Sequence, residues 1–171
     1  MSTTLRTLFN ICLLRQGPEA LPYSRMLLGA LLVISFMISV LIGGMIYSVK
    51  AAVLSSVAGL FVSFAFAKIL LLKKPERFLQ TFSAMLGTVT LINIVSLPSS
   101  YSLQYMQLGE TAELFFGVTG LALFVWVVIV YGYIFSRALS SAMSYGVAIS
   151  VGYALLHIIV LEMFISASLP G

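Results

Sequence analysis

The sequence has no aspartate, one cysteine, one histidine and one tryptophan among 171 residues, and only nine Lys/Arg and five glutamates carry formal charge. Each scarcity excludes something. One cysteine rules out an internal disulfide, and a single cysteine with a single histidine rules out an intrachain zinc or iron–sulfur centre. An intramembrane aspartyl protease needs aspartate. A Ser–His–acid arrangement would have to use His157 with some glutamate, and no serine stands in a G-x-S-x-G context. Phosphate loops, dinucleotide fingerprints and H-E-x-x-H are missing as well. These gaps predict a non-enzymatic protein with no cofactor. The net charge of +4 and pI of about 9.4 come from few charges rather than from clustered bases, so no nucleic-acid partner is expected.

What the chain has in excess is apolar sequence. Hydrophobic residues make up 61% and charged residues 8%, and mean hydropathy is +1.13. Soluble domains carry about 45–50% and about 25% respectively, so lipid is the expected solvent. A helix crosses hydrocarbon roughly 30 Å thick with about 20 mostly apolar residues. Met26–Ser48, Ala51–Leu72, Leu114–Phe135 and Ser141–Ile165 meet that requirement. Leu79–Leu97 is long enough but softer, with Thr81, Ser83, Thr88, Thr90, Asn93 and Ser96. Pro75 and Glu76 suit its start, and Pro98 is expected to close it.

Residues 1–25 hold no signal-type apolar core, but Leu5, Leu8, Phe9, Cys12 and Leu13 recur at helical spacing, with Thr4, Arg6, Thr7 and Asn10 largely opposite. That pattern predicts a short helix on the cytoplasmic leaflet, ended by Gly17-Pro18. The expected fold class is therefore an all-α membrane protein, a five-transmembrane-helix bundle preceded by a short amphipathic interfacial helix, in a single domain over 1–171. Its orientation follows from the bases. Arg6, Arg15, Arg25, Lys68, Lys73, Lys74, Arg77 and Arg137 fall on one side and Lys50 on the other, which predicts a cytoplasmic N-terminus and a C-terminus outside.

Small residues recur every four positions in two spans. Ser55, Gly59, Ser63 and Ala67 form one ladder, and Ala138, Ala142, Gly146, Ser150 and Ala154 the other. Such ladders let helix backbones approach closely, either within one bundle or at a dimer face. In the third span, Gln80, Ser83, Thr88 and Thr90 share a half-turn with Thr81, Ala84 and Gly87, while Phe82, Met85, Leu86, Val89 and Ile92 share the other. The expectation is bulky side to lipid and polar side to the bundle interior, either as packing or as a hydrated path. His157 lies on the face of Gly146, Ser150, Tyr153 and Ala154 and should point to the packed side. Glu162, five residues on, sits about 140° away and cannot pair with it on one helix. Trp126, mid-span, is expected to pack, and the loop from Ser99 to Glu113, with Tyr101, Leu103, Met106 and Leu108, to lie at the membrane surface.

Two short segments carry a family resemblance. One is Leu13-Leu14-Arg15-Gln16-Gly17-Pro18-Glu19-Ala20-Leu21-Pro22, at the entry to the first span. The other is Arg77-Phe78-Leu79-Gln80-Thr81-Phe82-Ser83-Ala84-Met85-Leu86-Gly87-Thr88, which follows a basic loop. With the five-span order, these resemble the bacterial branch of the Yip (Ypt-interacting) family of membrane proteins. The resemblance implies a non-enzymatic five-span protein of the bacterial inner membrane. Eukaryotic members bind prenylated small GTPases, but through a chain with a sizeable cytoplasmic N-terminal domain, which has no counterpart in residues 1–25. Two functions are therefore carried forward. The first is a membrane scaffold or assembly/trafficking factor working through helix packing, with membrane lipids and a second copy or another membrane protein as partners. The alternative is a small transporter or channel subunit lined by the polar face of the third span and His157.

Overall fold

The computed structural model describes residues 2–105 and 109–166. It is all-helical over that range: α1 (Ser2–Cys12), a 3-10 turn (Pro18–Ala20), α2 (Arg25–Ile46), α3 (Val49–Leu70), a second 3-10 turn (Pro75–Arg77), α4 (Phe78–Tyr105), α5 (Glu110–Leu139) and α6 (Met143–Ser166). Helices α2 to α6 are each long and apolar enough to cross a membrane, in agreement with the five stretches read from hydropathy. Local chemistry sets several of the ends. Ser24 and Ser48 cap α2 and α3, accepting hydrogen bonds from the Leu27 and Ala51 amides at 3.3 Å. Glu110 and Glu113 occupy the first turn of α5, where the helix dipole favours carboxylates.

The five long helices close a ring. α2 packs on α3 and α4, α3 on α6, α6 on α5, and α5 on α4. Two-residue linkage at Tyr47-Ser48 makes α2 and α3 antiparallel, and the Cβ of Ala52 lies 3.1 Å from where a Cβ on Gly43 would be. One end of the ring carries Lys68, Lys73, Lys74, Arg77, Arg137 and the N-terminal segment; we call it the basic end. The other is the far end.

Two boundaries depart most from the sequence reading. Pro98 does not close α4, which runs on to Tyr105 through it. A proline costs such a helix an amide and a hydrogen bond, but hydroxyls bonded within the neighbouring turns (Ser96 to the Asn93 carbonyl at 2.9 Å, Ser100 to that of Ser96 at 3.2 Å) tie that backbone together. Part of the expected surface loop is therefore helix; Met106 and Leu108 lie outside the described residues, as does the Leu103 side chain. Helix α1 ends at Cys12, well before Gly17. Leu14 takes the left-handed conformation (φ 59°), with its amide bonded to the Ile11 carbonyl and that of Arg15 to Asn10. That is a Schellman closure made without glycine. Ser140 (φ 55°) ends α5 the same way.

Helix α1 does not stand apart from the bundle. Leu8, Ile11 and Cys12 are buried, with Leu8 seated on Gly87 of α4, whereas Leu5, Phe9 and Leu13 stay exposed. Two of the five residues of the predicted apolar stripe, Leu8 and Cys12, pack on protein, and the most buried position of α1, Ile11, lies outside that stripe. Trp126 is likewise exposed rather than packed.

The largest correction concerns α4. Of its central window 61% is buried, against 11% for α2, α5 and α6. Phe82, Met85, Leu86 and Ile92, assigned above to lipid, are buried in the protein. The reason lies in what surrounds the helix. Its bulky side faces the ring interior, and α1 with the Pro18–Ala20 turn sheathes the polar side. The least apolar of the five long helices is thereby covered by protein on both faces over its first half, while Ile94, Val95 and Tyr101 beyond it are exposed.

Candidate functional site

Inside the ring lies a cavity of about 720 Å³ to which all five long helices contribute. Its floor is a hydrogen-bonded aromatic layer. The Ser63 hydroxyl meets the Tyr153 hydroxyl at 2.7 Å while bonding the Gly59 carbonyl at 2.7 Å, and the Tyr131 hydroxyl donates to the Met85 carbonyl at 3.2 Å. Phe66 stacks at 4.9 Å on Tyr153 and at 5.7 Å on Phe135, filling the space toward the basic end. Near that end Phe64, Phe78 and Phe82 form a second cluster, with the Lys68 ammonium 4.5 Å from the Phe78 ring centre. Above the floor the lining runs through the far halves of the helices to Tyr47, Ser100 and Ile165.

The walls are mixed. Aliphatic side chains such as Ile42, Leu60, Val89 and Leu123 alternate with Ser35, Ser39, Ser55, Ser56, Asn93, Ser96 and Ser150, and His157 and Glu162 add two ionisable groups. Among the described residues no Lys or Arg lines the cavity. An apolar enclosure with a few convergent polar groups is what a small-molecule site requires, and this volume falls within the roughly 300–1,000 Å³ typical of one. Without a Lys or Arg, and with the Glu162 carboxylate in the lining, the walls offer an anion no fixed countercharge, so the chemistry suits a neutral or positively charged guest.

The sequence-predicted residues divide sharply here. His157 does line the cavity, beside Tyr153 (ring centres 5.5 Å apart) and with Nε2 3.1 Å from where a Cβ on Gly59 would stand. Gln80, Ser83, Thr88 and Thr90 do not. At about 100° per residue, Met85, Val89, Ile92 and Ser96 share the inward face of α4, and Gln80, Ser83 and Gly87 point the other way. The Thr88 and Thr90 hydroxyls bond their own helix, to Ala84 at 2.8 Å and Leu86 at 2.7 Å. The Cys12 sulfur approaches the Thr88 carbonyl at 4.0 Å, and burial pushes that thiol up to about 11. Ser83 Oγ is buried with no partner among the described residues. Thus the predicted polar path is a packing surface, and the real cavity lies behind it.

Apart from Ala142, both small-residue ladders are spent within the chain. Ser55, Gly59 and Ser63 line the cavity wall next to α6, and Ala67 is fully buried below the floor. On α6, Gly146 lies against the Gly132 carbonyl and Ser136 of α5, and the Ser150 hydroxyl reaches across to the Val128 carbonyl at 2.7 Å. Ala154 is half-buried at the cavity, while Ala142 precedes α6 and is exposed. The sequence reading missed Ser35 and Ser39 of α2, whose four-residue spacing was a usable signal. It also counted Asn93 and Ser96 only as softening, although their spacing with Ser100 marks the inward face of α4.

At the basic end the connections between helices are tied by charge. Lys74 Nζ donates to the Leu139 carbonyl at 2.6 Å, and Arg77 Nη1 donates to the Ala138 carbonyl at 2.8 Å and the Ser140 hydroxyl at 2.7 Å, neutralising the negative end of α5. Arg137 pairs with Glu19, and Gln80 holds the Leu21 carbonyl at 2.7 Å. Burial raises the Glu19 carboxyl, but the hydrogen bond from Arg137, a backbone bond and the charges of Arg137 and Arg77 outweigh it and hold the group below its usual range. Among the described residues no cluster of His, Cys or Glu is arranged to hold a metal. Comparison of the chain with protein families, with curated proteins and with solved structures gives no match.

Proposed function

We propose that this chain is a non-enzymatic, multi-pass membrane protein that admits a small neutral or cationic molecule to its central cavity, as a small transporter or channel subunit. One observation carries the reading: five apolar helices surround about 720 Å³ whose largely aliphatic walls carry hydroxyl, amide, imidazole and carboxylate groups and, among the described residues, no Lys or Arg. Ser55, Ser63, Ser96, Ser100 and Ser150 bond their own helix or a neighbour, as packing hydroxyls do. What supports a solute site is that they share an inward face around open space with Asn93, His157 and Glu162. The cavity ends at the Ser63–Tyr153 bond, so passage to the basic end requires that bond and the Phe66 stack to part.

The test is flux in proteoliposomes with glycerol as neutral probe, choline as cationic probe and inorganic phosphate as anionic control. Glycerol or choline should cross faster than phosphate. Gly59→Leu, which fills the wall opposite His157, and His157→Ala should both change that rate. Thr88→Val and Thr90→Val, outside the cavity, should not. Equal rates with and without protein, or sensitivity to the threonine variants alone, would remove the reading.

A second reading is the membrane scaffold or assembly/trafficking factor, supported by the exposed Leu5, Phe9 and Leu13 stripe and the basic end beside it, which together suit a membrane surface or a protein partner. The Yip-family resemblance belongs with this reading. Placement in a bacterial inner membrane, N-terminus cytoplasmic, is proposed for either, on the strength of eight of the nine bases lying at one end.

A further inference from the structure

At the basic end, separate from the cavity, the 3-10 turn Pro18–Ala20, the start of α4 and the α5–α6 connection enclose a recess of about 470 Å³. Arg77 and Arg137 both line it, with Gln80, Ser140 and Ser141. Arg77 is fixed through Nη1 alone, by the carbonyls of Arg137 and Ala138 and the Ser140 hydroxyl, so its Nε and Nη2 donors remain unused among the described residues. Ser141 Oγ is buried at the recess and finds no partner among the described residues. Arg137 spends both Nε and Nη2 on one oxygen, Oε1 of Glu19. Two guanidinium groups and an unpaired hydroxyl thus converge on a space where, among the described residues, the one anion is the chain's own Glu19 carboxylate, while the Gln80 amide is held by the Glu19 and Leu21 carbonyls.

That carboxylate is loosely seated. The two side chains of the pair are 53% and 50% exposed, so water reaches them and the pair is weak. Glu19 folds back over Gly17, into space that a Cβ at position 17 would occupy. Even with Glu19 present the lining keeps one surplus positive charge, from two arginines against one glutamate, and Lys74 stands on the same Ser140 hydroxyl as Arg77.

We propose that this recess binds a phosphate group, with Glu19 as an internal stand-in that the phosphate displaces from Arg137. Guanidinium forks match phosphate oxygens as they match carboxylates, and a basic recess at the cytoplasmic ends of membrane helices is suited to an anionic headgroup. The same chemistry would take a free phosphate. The displaced Glu19 side chain turns to solvent, and the binding is non-covalent.

Binding is measured on the purified full chain in neutral detergent, by titrating phosphatidylglycerol, phosphatidylcholine and inorganic phosphate separately and reading the shift in thermal unfolding midpoint. Phosphatidylglycerol is expected to stabilise the protein and phosphatidylcholine not to; a response to inorganic phosphate of equal size would assign the site to free phosphate instead of a lipid. Arg137→Gln should weaken binding about tenfold, the cost of one charge-assisted pair. Glu19→Gln should tighten it several-fold because the competing anion is gone, and Gly17→Ala, which crowds the carboxylate out, should act in the same direction. If the ion pair is only a clasp for the N-terminal segment, Glu19→Gln loosens that segment and leaves phosphatidylglycerol binding unchanged or weaker; that outcome overturns the proposal, as does the absence of any response to both phosphates. Should Arg137→Gln fail to fold, the Glu19 and Gly17 variants decide alone.

Discussion

Alanine at Gly146 tests the packing of α5 on α6 at a single atom. A Cβ there would stand 2.8 Å from both Ser136 Cβ and Ser136 N and would overlap the Gly132 carbonyl. Those are backbone and near-backbone atoms, so no flexible side chain can swing aside, and the helices must move apart. Overpacking of this kind costs about 1–3 kcal/mol. Against it stands the better helix propensity of alanine, worth about 0.5–1 kcal/mol. The net loss is about 1–2 kcal/mol, which lowers the folded-to-unfolded ratio roughly 5- to 30-fold. Gly152 on the same helix is the matched control, because a Cβ there meets nothing within 4 Å. Gly152→Ala should therefore leave stability unchanged or raise it slightly. Both variants would be unfolded in mixed micelles by increasing denaturing detergent, followed by helical circular dichroism. If Gly146→Ala unfolds at the same detergent fraction as Gly152→Ala, the close α5–α6 crossing is not real.

Three further outcomes follow from the same contacts. Cys12, with its thiol near 11 and its side chain against Thr88, should react with a soluble maleimide at pH 8 about a hundredfold more slowly than an ordinary thiol near 8.5–9, and faster as pH rises; Gly87→Val, which drives Leu8 off α4, should expose it. Tyr153→Phe should cost only about 0.6 kcal/mol, since Ser63 keeps its bond to the Gly59 carbonyl, whereas Tyr153→Ala removes a ring stacked on Phe66 and Tyr131 and should cost about 3–5 kcal/mol in the same detergent unfolding assay. Because the folded Glu19 carboxyl lies below its ordinary value, the stabilisation it lends is complete above the unfolded value near 4.5 and vanishes as pH falls through the folded one. The effect is under about 1 kcal/mol for so exposed a pair, and is read as a drop in thermal unfolding midpoint from neutral to acid pH that is larger in the native chain than in Glu19→Gln.

The rim and the cavity were unequally legible. Arg77 and Arg137 could be assigned to one end from the order of bases, yet nothing in that order brings Glu19 onto Arg137, 118 positions away. His157 was readable because a lone imidazole in an apolar helix must point at protein or water. Ser35, Ser39 and Asn93 were hidden among many hydroxyls with the same composition.

Sequence alone determined the number and placement of the long helices, since crossing hydrocarbon is a matter of local length and hydropathy summed along one segment. It also determined the charge asymmetry of the two ends, which needs only the positions of nine bases. Tertiary structure decided which way α4 faces. In a soluble protein, bulky residues mark the inside; in lipid, the surroundings are as apolar as the core, so Met85 and Val89 gain nothing by either direction. What tipped the choice was a cover for the polar side. With α1 and the Pro18–Ala20 turn over Gly87 and Gln80, that side is covered by protein, and the bulky face walls the cavity.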